Sequence, residues 1–310
     1  MNKEPVDLSV VLGRLKLKNP VMPSSGTFGY GIEFAEFMNL DDLGAIVVKG
    51  TTLHPRLGNF QHRFTEIAGC AEMSTIGLQN VGVERFVREK LPLLRQFKTP
   101  VIVNIAGESV EEFVQITEVL NQAEGIAAIE INLACPNVKG GGAQFSADVD
   151  VTFQVVKAVR NATDLPIIAK LCPTITDVTV LAKVCEEARA DAICPIYAVM
   201  GTTIDIHTRR SKLGKNLIAS VGGPWMKPIA VKLAWQAAQV VKIPIIGGGG
   251  ITCAEDAIEF FIAGATAIQV GIYNFIDPQV TIKMIEGIKN YLIDHGIKKI
   301  GDLVGSFRMS

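Results

Sequence analysis

Apolar positions along the chain fall into eight short runs, each closed by small or polar residues: 20–26, 45–50, 101–107, 128–133, 167–171, 192–196, 243–247 and 267–271. Their β-branched content and their Gly and Pro flanks predict strands. Helical periodicity fills most of the intervals between them, over 109–122, 178–189 and 252–263. Ser109 with Glu112, and Thr252 with Glu255, stand at the spacing of an N-terminal capping box. Strand–helix alternation calls for a parallel sheet, and eight units in one chain predict closure into a (β/α)8 TIM barrel spanning 1–310 as one domain. An open doubly wound sheet is the competing architecture. Three intervals exceed an ordinary connection, at 50–75, 135–150 and 197–225, and are expected to cover an active site.

Composition supports a large buried sheet, with 48% hydrophobic and 20% charged residues. Thirty basic side chains against 31 acidic ones leave a net charge of −1, which gives no electrostatic footing for nucleic acid or an anionic membrane. No run approaches the roughly 20 apolar residues of a membrane span. The first residues lack the apolar core of a signal peptide, so a cytoplasmic location is expected. The six cysteines are scattered, without a C-x-x-C pair, and form neither a disulfide framework nor a metal or cluster ligand set. Cys172, Cys185, Cys194 and Cys253 read as small buried apolar residues.

In a barrel of this kind, chemistry sits at the C-terminal ends of the strands. Those ends carry Ser25, Lys49, Asn104, Asn132, Lys170, Tyr197, Gly249, Gly250 and Gly271. Lysines and asparagines that merely end a strand enter solvent; as a ring at one mouth they form a site. Gly247 to Gly250 follow the seventh strand and open a helix, which suits a phosphate bound by bare backbone N–H groups. That phosphate belongs either to a flavin or to a phosphorylated substrate. Cys135 lies just beyond the fourth strand, before Pro136 and a glycine-rich stretch, where a thiol near positive charge serves as a general base.

Taken together, Asn132-x-x-Cys135-Pro136-Asn137, Lys49-Gly50-Thr51-Thr52 and Ile76-Gly77-Leu78-Gln79-Asn80 resemble the dihydroorotate dehydrogenase family over essentially the whole chain. Asn104, Ala169-Lys170-Leu171, Gly223-Pro224 and Gly249-Gly250 fall in the same register. Cysteine as the base, and the Val138-Lys139-Gly140 continuation, look like class 1B. The resemblance implies FMN held by Ser25, Lys49, Gly50, Asn104, Asn132, Lys170, Ile196, Gly223, Gly249, Gly250, Gly271 and Ile272. It implies Cys135 as catalytic base, with Lys170 beside the flavin's pyrimidine edge. A small carboxylate substrate would meet Lys49, Ser74, Thr75, Ile76, Gly77, Leu78, Asn132, Asn137, Tyr197 and Ala198. It further implies a homodimer core and a partner subunit that carries an iron–sulfur cluster and FAD.

Departures from the family pattern concentrate at the substrate. Ser74 stands where the family has Asn, Tyr197-Ala198 where it has Asn-Thr, and Gly222 where it has Ser. Two substrate readings therefore stay open, dihydroorotate and another cyclic carboxylate. A flavin-free barrel lyase using Lys170 as a Schiff-base lysine, and a non-catalytic FMN-binding subunit, are the competing functions.

Overall fold

Eight parallel strands form the centre of the molecule: β1 (Val21–Pro23), β2 (Ile46–Thr51), β3 (Val101–Ile105), β4 (Ala128–Asn132), β5 (Ile167–Lys170), β6 (Ala192–Cys194), β7 (Ile245–Gly248) and β8 (Ala265–Val270). The structure is a computed structural model that describes residues 6–67, 71–133, 148–172, 177–196 and 198–308. Each predicted run overlaps one of these strands, with the second, seventh and eighth strands reaching one or two residues past the predicted bounds. Hydrogen bonding orders them β1-β8-β7-β6-β5-β4-β3-β2, every pair parallel, as in a barrel wound in sequence order. The ring closes between β1 and β2 through a bond from Gly44 N to Val21 O of 3.0 Å. A Cβ at Gly44 would lie 2.2 Å from the Asn19 carbonyl oxygen, so only glycine permits this approach.

The strands are apolar because both faces are covered: β3 and β4 are buried at every position. The surrounding helices α1 (Val110–Asn121), α2 (Val149–Ala162), α3 (Val178–Glu187), α4 (Lys227–Ala238), α5 (Ala254–Ala263) and α6 (Val280–Asp294) each turn an apolar stripe inward. The two predicted capping boxes differ in detail. Ser109 Oγ accepts from Glu112 N, but the Glu112 carboxylate accepts from Glu108 N. The second box is shifted by one residue, with Cys253 as N-cap and Asp256 taking the Thr252 and Cys253 N–H groups. Adjacent acids at 255 and 256 make that spacing degenerate in sequence. The shift leaves Cys253 exposed rather than buried, while Cys172, Cys185 and Cys194 are buried as expected.

The N-terminal end of the barrel is stapled by charge. Asp191, just before β6, takes bonds from Arg14, Arg160 and the Ile167 N–H. Arg14 lies in the turn of a hairpin formed by Val10–Leu12 and Leu15–Leu17, which thereby packs against this end. Two of the long intervals prove to be built rather than looped. Phe64–Ile67 and Ala71–Ser74 join Val199–Gly201 and Ala219–Gly222 in a four-stranded antiparallel sheet. The third interval, 135–150, lies largely outside the described residues. Among the described residues no helix is long and apolar enough to cross a membrane.

Candidate active site

Strand periodicity carries polar side chains into the barrel's own interior. On β4, Glu130 is fully buried between Ile129 and Ile131. Its Oε1 accepts from Asn104 Nδ2 at 2.7 Å and from Lys170 Nζ at 3.3 Å, and its Oε2 accepts from Gln269 Nε2. Lys170, 2% exposed at the end of β5, also donates to Gln269 Oε1 at 2.6 Å and lies 3.3 and 3.5 Å from the hydroxyls of Ser24 and Ser25. A buried charge needs a partner and satisfied donors, and here the cation and carboxylate supply each other. Among the described residues, the buried Asn104 Oδ1 has no hydrogen-bond partner. An acceptor left open at the barrel mouth, facing Gly50, is suited to a ligand N–H.

Glu130 and Gln269 escaped the sequence reading. The available signal was a glutamate, and a glutamine, each inside an otherwise apolar strand (Ala-Ile-Glu-Ile-Asn on β4, Ala-Ile-Gln-Val on β8). Such a residue in a doubly covered strand has to be paired across the barrel.

Above this network opens a cavity at the C-terminal ends of the strands. Ser25, Lys49, Gly50 and Lys170 line its floor and side. Ile196, Gly223, Gly249, Gly250, Gly271 and Ile272 line the part nearest β6, β7 and β8. Ser74, Ile76, Gly77, Leu78 and Ala198 line the part beneath the antiparallel sheet. Asn104 and Asn132 are buried beside it without lining it. Thr75 is held outside the lining by Asn59, whose Nδ2 donates to its carbonyl oxygen and hydroxyl. Cys135, Asn137 and Tyr197 lie outside the described residues.

The cavity has two chemically distinct ends. On one, Gly249 and Gly250 take φ values of +95° and +75°, and a Cβ at Gly250 would lie 2.4 Å from Lys227 N. Gly271 differs: a Cβ there would meet nothing within 4 Å. The space beside Gly271 is thus free for a ligand to approach bare backbone, as a phosphate requires. The Thr252 and Cys253 N–H groups do not contribute, because Asp256 already occupies them.

On the other end stands Lys49, whose pKa is lowered chiefly by burial. Its Nζ sits 5.6 Å from the Tyr30 ring centroid, a cation–π contact that leaves the ammonium facing the cavity. The Ile76–Leu78 turn beside it is pinned by Asn80, which donates to Leu78 O and Thr52 Oγ1 and accepts from the Thr52 and Gly82 N–H groups. Asn80 therefore ties the strand-two motif to the 76–80 loop. Leu78 is held at φ +54°, a conformation that costs a non-glycine residue and is kept where the surroundings fix it. An ammonium beside a fixed turn of backbone N–H groups can hold a carboxylate.

Comparison with known proteins places these features in context. The family model described as Dihydroorotate dehydrogenase matches residues 7–292. A relative from Geotalea uraniireducens, named dihydroorotate dehydrogenase B (NAD(+)), catalytic subunit, is 46% identical over 300 residues, covering 97% of this chain and 98% of its own. A relative of the same name from Thermodesulfovibrio yellowstonii is 45% identical over 301 residues, covering 97% and 99%. A solved structure of DHODH in complex with ferulenol from Eimeria tenella superposes with a TM-score of 0.78 at 20% identity, over 96% of this chain and 88% of that one, and so shares the fold.

Proposed function

The chain belongs to the dihydroorotate dehydrogenase family, and on that premise we propose that it is the FMN-bearing catalytic subunit of a class 1B enzyme that interconverts dihydroorotate and orotate. The observation that carries this reading is the polar floor of the cavity, where Lys170, Glu130, Gln269 and Asn104 form one buried network with an acceptor left open. That set fits the edge of a flavin: the Ser25 hydroxyl offers a hydrogen bond, Asn104 Oδ1 accepts one, and Lys170 supplies positive charge. Gly249, Gly250 and Gly271 fit its phosphate, with Lys49, Gly50, Asn132, Ile196, Gly223 and Ile272 completing the surround. The chemistry supplied by FMN when bound is acceptance of a hydride from the substrate carbon next to the one that is deprotonated.

Cys135 is the base in this reading; its thiolate takes a proton from the carbon adjacent to the substrate carbonyl. Lys49 and the Ile76–Leu78 backbone hold the substrate carboxylate, so the carbon to be deprotonated is presented in a fixed orientation. Lys170 keeps positive charge next to the redox centre. As a Schiff-base nucleophile it is poorly placed, since four side-chain oxygens engage its Nζ. The name carried by the relatives, catalytic subunit of an NAD(+) enzyme, supports a further subunit that passes electrons to NAD; the class 1B resemblance assigns that subunit an iron–sulfur cluster and FAD, and this chain a homodimer core.

Dihydroorotate oxidation with an artificial electron acceptor tests the reading. The purified chain is expected to be yellow, to release FMN on denaturation, and to turn over with the artificial acceptor while coupling poorly to NAD. A colourless protein that cannot be reconstituted with FMN would overturn it.

A further inference from the structure

The antiparallel sheet over the mouth alternates strictly between two faces. Met73, Ala219 and Val221 turn away from the cavity into a small apolar cluster. Glu72 and Ser74 turn into it, paired across the strands with Gly222 and Ser220. Serines at a cavity surface are unremarked; a carboxyl there is not. Glu72 is 7% exposed, and among the described residues no hydrogen bond or ion pair reaches it. Its cross-strand neighbour Gly222 has no side chain to offer, and the place of a Cβ there is taken by the apolar Ile272, whose Cδ1 lies 1.8 Å from it. On the other side its register partner is exposed Glu66, another acid.

A buried carboxyl without a partner is costly, and the cost persists only where something compensates. Burial alone pushes the Glu72 pKa up to about 7. The group faces the cavity that also holds Lys49, where the side chains at 74 and 198 carry no amide. We propose that Glu72 is the specificity-determining residue of the substrate end of this cavity, accepting a hydrogen bond from a ring N–H of the bound substrate. This rests on the function proposed above and deepens it: the substrate is a carboxylate whose ring carries N–H donors, held at its carboxylate by Lys49 and at its ring edge by Glu72. The acceptor lost with the amide at position 74 is replaced by one two residues away on the same strand face.

The test titrates the FMN-loaded protein with orotate, 1-methylorotate and 3-methylorotate, following the perturbation of the flavin spectrum, in wild type, Glu72→Gln and Glu72→Leu. Flavin content measured in each variant separates cofactor loss from substrate loss. In wild type, methylation of one of the two ring nitrogens is expected to weaken binding roughly ten- to a hundred-fold, the range for a hydrogen bond to a charged group. Glu72→Leu is expected to weaken orotate by a similar factor and to erase the difference between the methylated and unmethylated ligands. Glu72→Gln, whose amide oxygen still accepts, keeps part of the discrimination. A Glu72→Leu protein that binds and discriminates like wild type overturns the assignment, as does a wild type indifferent to both methylations. A flavin-loaded wild type that binds no orotate sinks the dihydroorotate reading instead. The same variants are then compared with 2-amino-6-oxopyrimidine-4-carboxylate, whose amino group and ring N–H suit a carboxylate: binding lost in Glu72→Leu supports the role of Glu72, and binding that is equal or absent overturns it.

Discussion

Replacing Lys170 by methionine keeps the volume of the side chain and subtracts its charge from the floor of the cavity. Glu130 would then stay fully buried with two neutral donors, Asn104 and Gln269, and no cationic partner among the described residues. At the observed separation of 3.3 Å and an effective dielectric constant of about 20, the lost attraction is about 5 kcal/mol. Breaking a buried pair from one side costs about 3–5 kcal/mol, and the surviving donors place this case at the lower end, about 3 kcal/mol. For a chain of this size that lowers the melting temperature by roughly 5 °C. Glu130→Gln should cost about 2 kcal/mol, because Lys170 keeps Gln269 and the two serines. Since each single variant strands the other charge, the double variant should cost no more than Lys170→Met alone, leaving a coupling of about 2 kcal/mol. Urea unfolding of flavin-stripped protein is the appropriate assay, because bound cofactor adds its own stabilisation by mass action. Costs that add to within about 0.5 kcal/mol would refute the claim that these residues form one network.

Cys135→Ala is expected to retain flavin and to slow flavin reduction by substrate roughly 10²–10⁴-fold, measured by anaerobic rapid mixing; unchanged reduction would make Cys135 a structural residue. Gly222→Ser should destabilise the chain by about 1–3 kcal/mol, because its Cβ collides with Ile272 Cδ1. Adding Ile272→Val removes that atom and should restore most of the loss in a melting experiment; a neutral Gly222→Ser would contradict the packing described. Glu72 predicts a pH dependence. Its folded-state pKa, about 7, lies above the ordinary 4.5, so its contribution to stability is present in full below 4.5 and is lost as pH rises through 7. Relative to Glu72→Gln, wild type should lose up to about 3 kcal/mol between acidic and alkaline conditions, seen as diverging melting curves; parallel curves would count against a buried, unpartnered carboxyl.

The barrel was legible because each strand is a continuous apolar run with polar punctuation, a signal that survives without any long-range information. Lys49, Lys170 and Asn104 were legible for the same reason, as polar residues at the ends of such runs. Glu130 and Gln269 were not, since one polar residue inside a run looks like noise until its partners on neighbouring strands are known. The antiparallel sheet was read as loop because its strands are three or four residues long and pair across more than a hundred positions of sequence, Ala71–Ser74 with Ala219–Gly222. With that sheet went the orientation of Glu72, which depends on which of two faces turns inward. The N-cap of α5 slipped by one residue because Thr252 and Cys253 are each followed three positions later by an acid.

The central claim, that this cavity oxidises dihydroorotate on FMN, is tested most directly by a single anaerobic turnover. Stoichiometric dihydroorotate is mixed with FMN-loaded protein in the absence of any acceptor, and flavin absorbance and orotate are followed together. The account predicts that the oxidised flavin spectrum bleaches with one orotate formed per flavin reduced. A fully loaded protein whose spectrum is unchanged by dihydroorotate, and which forms no orotate, would contradict it.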